Sequence, residues 1–119
     1  MNAEVLCIGT EILLGDIVNT NGAYLARQLA TLGIDVYHQS VVGDNSQRLL
    51  DSLKLALSRA DIVITTGGLG PTYDDVTKKA VADYFGLNME PHEPSVRKIK
   101  AFYQWRDVPM TPNNLLQAQ

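Results

Sequence analysis

The densest run of residues able to do chemistry is Thr66-Gly67-Gly68-Leu69-Gly70-Pro71-Thr72-Tyr73-Asp74-Asp75. Three glycines let a backbone pass close to a bulky anion, and their N–H groups, with the start of a following helix, form a partial positive cradle. A phosphate or pyrophosphate fits such a cradle. The run is not a Walker A loop, because no Gly-Lys-Ser/Thr follows, and Gly68 to Tyr73 lacks the last glycine of the dinucleotide fingerprint. Simple kinase and dehydrogenase chemistry are therefore disfavoured. Asp74 and Asp75 stand beside the cradle, and two acids next to a phosphate call for a divalent cation of the Mg²⁺ type to cancel repulsion. Asp44, in Val42-Gly43-Asp44-Asn45, with Glu11 or Asp16 from the stretch Gly9 to Asn21, is placed to complete an all-oxygen shell of the kind hard cations take.

A plainer account of the same residues stays open. Acids in the first turn of a helix are favoured by the helix dipole alone, and Thr72 would then be its cap. Asp44-Asn45 would be ordinary turn residues whose short side chains bond their own backbone. His38 and His92 have no Cys, His or acid at ligand spacing and receive no role. Cys7 lies inside an apolar run and reads as a small core hydrophobe, not a nucleophile. Arg97, Lys98 and Lys100 form a basic helix face of the usual solvated kind, with contact to a ligand phosphate or a partner subunit as the lesser alternative.

The elements that must position these residues alternate strand and helix. Val5-Leu6-Cys7-Ile8-Gly9 is short, apolar and branched, as a central parallel strand is. Thr10 to Thr20 reads as a long, partly buried loop. A helix opens at Asn21, with Leu25, Leu29 and Leu32 at helical spacing beside Ala26 and Ala30, and ends at Gly33. Ile34 to Val42 alternates as a strand nearer the sheet edge, with Ile34, Val36, His38 and Ser40 on one face. Ser46 caps a second helix, which carries Leu49, Leu53 and Ala56 inward and stops near Ala60. Ile62-Val63-Ile64 repeats the buried-strand signature. A third helix begins near Asp74, turns Val76, Ala80, Val81 and Tyr84 inward, and ends at Gly86. A fourth, with Pro94 near its first turn, runs toward Trp105 with Val96, Ile99 and Tyr103 inward until Pro109 and Pro112 interrupt it. Asn113 to Gln119 looks like the opening of a further helix that is cut short, as in a fragment. The class is α/β, a doubly wound parallel sheet with helices on both faces, incomplete at its C-terminus. In such sheets ligands bind at the carboxyl ends of the strands, where Gly9–Asn21, Gly43–Asn45 and Thr66–Thr77 all lie.

Composition narrows the function. The 119 residues amount to a single, partial domain, and 45% hydrophobic with 19% charged residues is the balance of a folded globule. A net charge of −3 argues against nucleic acid as the main partner. One cysteine excludes an internal disulfide and a multi-cysteine zinc site, which suits a reducing, cytoplasmic setting. No apolar stretch approaches the roughly 20 residues of a membrane span, and no leader-type segment opens the chain.

Gly9-Thr10-Glu11-Ile12-Leu13-Leu14-Gly15-Asp16-Ile17-Val18-Asn19-Thr20-Asn21, Val42-Gly43-Asp44-Asn45 and Thr66-Gly67-Gly68-Leu69-Gly70-Pro71-Thr72-Tyr73-Asp74-Asp75-Val76-Thr77 together resemble the N-terminal domain of CinA-like, competence/damage-inducible proteins. That family lies within the broader molybdopterin-binding fold of MogA and MoaB. Similarity continues through Tyr84-Phe85-Gly86-Leu87 and Pro109-Met110-Thr111-Pro112-Asn113-Asn114, and the family often adds a separate amidase domain further on. The resemblance implies metal-dependent hydrolysis of ADP-ribose to AMP and ribose 5-phosphate, with an ion of the Mg²⁺ or Co²⁺ class, in a homo-oligomer. It assigns Asp44 and Asp75 to the metal and pyrophosphate, and Thr66, Gly67, Gly68, Gly70 and Thr72 to the phosphate cradle, with Asp74 beside it. The resemblance also implies that Gly9, Thr10, Glu11, Asp16 and Asn19 line the pocket. Leu69 stands where the molybdopterin branch has Thr or Ser, and Asp74 where it has Arg, which disfavours adenylyl transfer onto a pterin. That transferase activity and a non-catalytic nucleotide-binding module are the rival expectations.

Overall fold

A computed structural model describes all residues from Met1 to Gln119. Three strands, β1 (Asn2–Ile8), β2 (Asp35–Val42) and β3 (Ile62–Thr66), form a parallel sheet in the order β2-β1-β3. The helices are a four-residue turn α1 (Thr10–Leu13), then α2 (Thr20–Thr31), α3 (Ser46–Arg59), α4 (Thr77–Phe85), α5 (Glu93–Arg106) and a 3-10 helix, Pro112–Ala118.

β1 is central because nearly every residue in it can be buried on both faces, and six of its seven residues are buried. Leu6 and Ile8 point to one side, where they meet Leu49 and Leu53 of α3 and Ala80 of α4. Ala3, Val5 and Cys7 point to the other, against Leu29 of α2. The sheet is thus covered on both faces, as the alternation of elements requires. Each large aliphatic side chain removed from water contributes about 2 kcal/mol, so these two clusters carry the main share of stability.

Several local expectations need correction. The pairing of β1 with β2 slips between Ala3 and Glu4, whose partners are Val36 and His38, leaving Tyr37 as an extra residue. A bulge of one residue reverses the side-chain alternation beyond it. Ile34 and Val36 therefore share the α2 face with Val41 and with Gln39, whose amide bonds the Gly22 carbonyl at 2.9 Å. Ser40 turns to the α3 face instead, where its hydroxyl donates to Glu4. β3 is half-buried and not fully enclosed, because β1 covers one of its edges only. Leu32 and Tyr84 are exposed, since Leu32 lies past the end of α2 and Tyr84 sits on the outer face of α4. Asn45, not Ser46, caps α3: its side chain accepts from the Arg48 N–H at 3.0 Å. The stretch Thr10–Thr20 begins with α1 and leaves Leu13, Leu14, Ile17 and Val18 more than half exposed.

One charged group lies inside this core. Glu4 is 1% exposed, and its carboxylate takes two 2.8 Å hydrogen bonds from the guanidinium of Arg59, at the end of α3. That bidentate pair, with Ser40, holds the Glu4 carboxyl below its ordinary value against the opposing effect of burial. A carboxyl so depressed stabilises the fold above its unfolded value near 4.5, and the contribution disappears as pH falls through the lower folded value. Arg59→Met leaves a buried carboxylate without its counter-charge. In urea unfolding at pH 7 it should lower the unfolding midpoint, whereas Glu4→Gln/Arg59→Met together should recover most of that loss. Equal losses in the single and double variants would show that the pair does not act as a unit.

Candidate functional site

The carboxyl edge of the sheet is built from the strand tips outward. β1 ends at Ile8, and the Gly9 N–H bonds the Val42 carbonyl at 2.9 Å, so the exits of β1 and β2 leave side by side. Thr10 and Asp44 then lock these exits reciprocally: the Thr10 N–H donates to Asp44 Oδ2 at 3.2 Å, and the Asp44 N–H donates to Thr10 Oγ1 at 3.1 Å. Asp44 is accordingly not an ordinary turn residue bonded to its own backbone, since its partner lies 34 positions away. It supplies the acceptor that Gly9, the residue preceding α1, cannot.

On the other flank, β3 leads directly into the glycine turn. Gly67 and Gly68 have φ of +94° and +62°, conformations that L side chains rarely adopt. Space is equally decisive. A Cβ on Gly67 would fall on the carbonyl oxygen of Ile8, and one on Gly68 would strike the hydroxyl of Thr77. Bare backbone therefore passes over the tip of the central strand. Thr77, 2% exposed, fixes the crossing: its hydroxyl donates to the Gly67 carbonyl at 2.8 Å and its N–H to the Gly68 carbonyl at 3.2 Å. Asn21, at the start of α2, reaches across to Thr66 Oγ1 at 3.1 Å. Nothing in the sequence marks Thr77 or Asn21 as a site residue, although both lie in the quoted motifs; only their cross-chain partners reveal the role.

Asp74 and Asp75 do not lie in a helical first turn, because α4 begins at Thr77. Nor does Thr72 cap that helix. Its hydroxyl and N–H donate to Asp75 Oδ2 at 2.6 Å and 3.0 Å, which closes a small loop before α4. Those bonds, above all the one from the Thr72 hydroxyl, together with the Gly70 and Thr72 backbones and a lesser pull from Lys78, hold the Asp75 carboxyl below its usual range. With its hydroxyl proton committed to Asp75, Thr72 offers a phosphate little beyond its place in the loop.

The expected site residues are gathered only in part. Gly9, Thr10 and Asp44 form one cluster; Thr66, Gly67, Gly68, Gly70, Thr72 and Asp75 form a second, and both lie on the carboxyl side of the sheet. Asp44 and Asp75 flank β1 and do not bond each other; strands two apart in a sheet are separated by roughly 9.5 Å. Glu11 folds back over Gly9, to within 2.6 Å of where a Cβ there would stand, and Asp16 and Asp74 are exposed. No three His, Cys, Asp or Glu side chains converge, so a cation shell made wholly by Asp44, Asp75 and a first-loop acid is not built. Asn19 is a helix cap more than a pocket residue: its Oδ1 accepts from the Gly22 N–H at 3.0 Å and its amide donates to Cys7 Sγ at 3.3 Å. Cys7 is wholly buried, as a core hydrophobe should be.

A covered parallel sheet whose three strand exits share one carboxyl edge defines the open-sheet class of α/β domain. Residues 4–115 match the family described as "Probable molybdopterin binding domain", and the chain belongs to that family. It is 55% identical over 117 residues to a protein of Alkaliphilus oremlandii named competence-damage inducible protein, and 56% identical over 117 residues to one of the same name in Clostridioides difficile. Each match covers 98% of this chain and 28% of the relative, so the chain spans under a third of these curated relatives' length. Among solved structures, the protein CinA with unknown function from Thermoplasma acidophilum superposes with a TM-score of 0.87 at 35% identity, covering 98% of this chain and 68% of that one. The tungsten cofactor synthesizing protein MoaB of Pyrococcus furiosus gives 0.64 at 26% identity over 69% of this chain and 51% of its own.

The crossing at Gly67 yields a direct test. Gly67→Ala must move the Ile8 carbonyl as well as accept a strained φ, and should cost about 2–5 kcal/mol in denaturant unfolding. Gly15→Ala carries a similar φ of +78° but meets nothing within 4 Å, so it should lose only about 1–2 kcal/mol. Equal losses would mean that close approach to β1 is not the constraint.

Proposed function

We propose that this domain binds an ADP-ribose-like pyrophosphate across the tip of β1 and, with a divalent cation, hydrolyses it to AMP and ribose 5-phosphate. The observation that carries the proposal is the side-chain-free turn at Gly67-Gly68 lying over the end of the central strand, with one aspartate anchored on each side of it. Bare amides beside a strand tip suit diphosphate oxygens. The acids fit the cation in a restricted way. Mg²⁺ is commonly held by one or two carboxylates, with phosphate oxygens and water completing its octahedron, and two separated aspartates match that pattern better than an all-protein cage would. Asp44 Oδ2 is used by Thr10, which leaves Oδ1 for an ion. Asp75, held below the ordinary carboxyl range, is ionised at neutral pH and serves charge neutralisation better than proton donation. When bound, the ion would supply Lewis acidity and offset charge on the departing phosphate. The protein's own part is to hold the diphosphate against the glycine turn and to fix the two carboxylates by hydrogen bonds to Thr10 and Thr72.

A buried lone thiol agrees with a reducing, cytoplasmic setting, and no helix is long and apolar enough to cross a membrane. The exposed apolar side chains of the α1 region support association into a homo-oligomer.

Adenylyl transfer onto a molybdopterin is the second reading, favoured by the description of the family model. The two separate in one experiment on the intact protein. Incubation with ADP-ribose and Mg²⁺ or Co²⁺ should release AMP and ribose 5-phosphate, with at least a tenfold loss in both Asp44→Asn and Asp75→Asn, about 1.4 kcal/mol in barrier for each tenfold. AMP transfer from ATP to a pterin, with no release from ADP-ribose, would replace the first reading by the second.

A further inference from the structure

Helix α5 stands away from the rest of the molecule. Its only substantial packing is on the 3-10 helix, and the chain measures 46 × 31 × 29 Å. The radius of gyration is 16.2 Å, where a compact domain of this length has about 13.5 Å. Val96, Ile99 and Tyr103 make the covered side of α5. The opposite side has a pattern of its own. Lys98, Ala101, Phe102 and Trp105 recur at helical spacing, which aligns them in one outward stripe, and all four are exposed. The guanidinium of Arg106 lies over both rings, 5.5 Å from the centre of Phe102 and 5.8 Å from that of Trp105. The ion pairs of the molecule are Arg59 with Glu4 and Lys79 with Asp83, so Arg97, Lys98, Lys100 and Arg106 have no carboxylate within 4.0 Å. An aromatic stripe edged by unpaired cations complements an apolar surface edged by acids.

This chain carries such a surface. The α1 turn and the loop after it present Leu13, Leu14, Ile17 and Val18, all more than half exposed, with Glu11 and Asp16 exposed among them. No Lys or Arg occurs before Arg27. Thr10 and Asp44 bond each other across the strand exits and hold the turn, so the patch is a fixed surface. Within one molecule α5 does not pack on it.

We propose that α5 of one copy docks its Phe102 and Trp105 stripe on the α1 patch of a second copy, with its cations meeting Glu11 and Asp16. The two faces differ, so every molecule both gives and receives, and such contacts close into a symmetric assembly. Charge opposes the alternatives: two α5 stripes bring cations together, and two α1 patches bring acids together. The docked helix lies at the rim of the candidate site, because the turn it covers is the one that Thr10 ties to Asp44. The proposal rests on the homo-oligomer reading and names its two surfaces; it does not depend on the ligand.

Analytical ultracentrifugation of the intact protein tests it with Trp105→Asp, which spoils the giving face, and Val18→Asp, which spoils the receiving one. Those side chains are 79% and 81% exposed, so each variant should keep the wild-type circular dichroism spectrum. Each alone should raise the dissociation constant at least about tenfold. Mixed in equal amounts they should form a heterodimer, because the first keeps its receiving face and the second its giving face. Arg97→Glu/Lys98→Glu leaves every apolar side chain in place and should show the same loss and the same rescue by Val18→Asp. A wild-type protein that is monomeric at every concentration removes the homo-oligomer reading together with this contact. An oligomer indifferent to either Trp105→Asp or Val18→Asp keeps that reading and overturns the contact. Two dissociated variants that fail to pair when mixed overturn it as well, in favour of like faces meeting.

Discussion

The structure turns on one contact, the passage of the Gly67 backbone against the carbonyl oxygen of Ile8. A side chain at 67 has no room, and the left-handed backbone there and at 68 is what lets the chain leaving β3 double back over its neighbour. Thr77 then fastens both glycine carbonyls from below, which sets where α4 begins and so where Asp75 and Lys78 stand. The shape of the turn is consequently a by-product of sheet geometry, with both glycine carbonyls occupied by Thr77. An interior packed at crystal-like density transmits any shift at that point to its neighbours.

Stability comes from the whole length of the central strand. The aliphatic clusters run along β1 from Ala3 to Ile8 and hold α2 on one face and α3 and α4 on the other, while the Glu4–Arg59 pair lies toward the amino side, where α3 ends. The carboxyl side carries short polar residues whose hydrogen bonds run between loops distant in sequence. Thr10 with Asp44 and Asn21 with Thr66 tie each flank of β1 to the helix or turn that follows another strand. A hydrogen bond nets about 1 kcal/mol, so these ties shape the edge more than they stabilise the fold. Preorganised polar groups of this kind are what a charged ligand needs.

Much of this was legible in the sequence, for identifiable reasons. The central strand, the end of α2 at Gly33 and the end of α4 at Gly86 follow from branched apolar runs and from glycines that take positive φ. The loops rich in glycine and acid were correctly placed at the strand exits, because a parallel sheet puts every such exit on one edge. The bulge at Tyr37 was not legible, since no glycine or proline marks it and it exists only in the pairing with β1. The start of α4 reads too early in the sequence because Asp74-Asp75 imitates a helix first turn, whereas Asp75 is held back by Thr72 and the helix begins at Thr77. The buried Glu4 was invisible for a related reason: its partner lies 55 residues away. A three-acid cation shell failed likewise, for the distance between loops is a property of the fold and not of spacing along the chain.

The central claim is that ligand meets this protein at the glycine turn over β1. Amide chemical-shift mapping of the ¹⁵N-labelled protein during titration with ADP-ribose and Mg²⁺ tests it most directly. The account predicts that the largest shifts fall on Gly67, Gly68 and Gly70, with smaller ones at Thr10 and Asp44, and that α5 stays still. Shifts centred on α5 or on the amino side of the sheet, with the Gly67 amide unmoved, would contradict it.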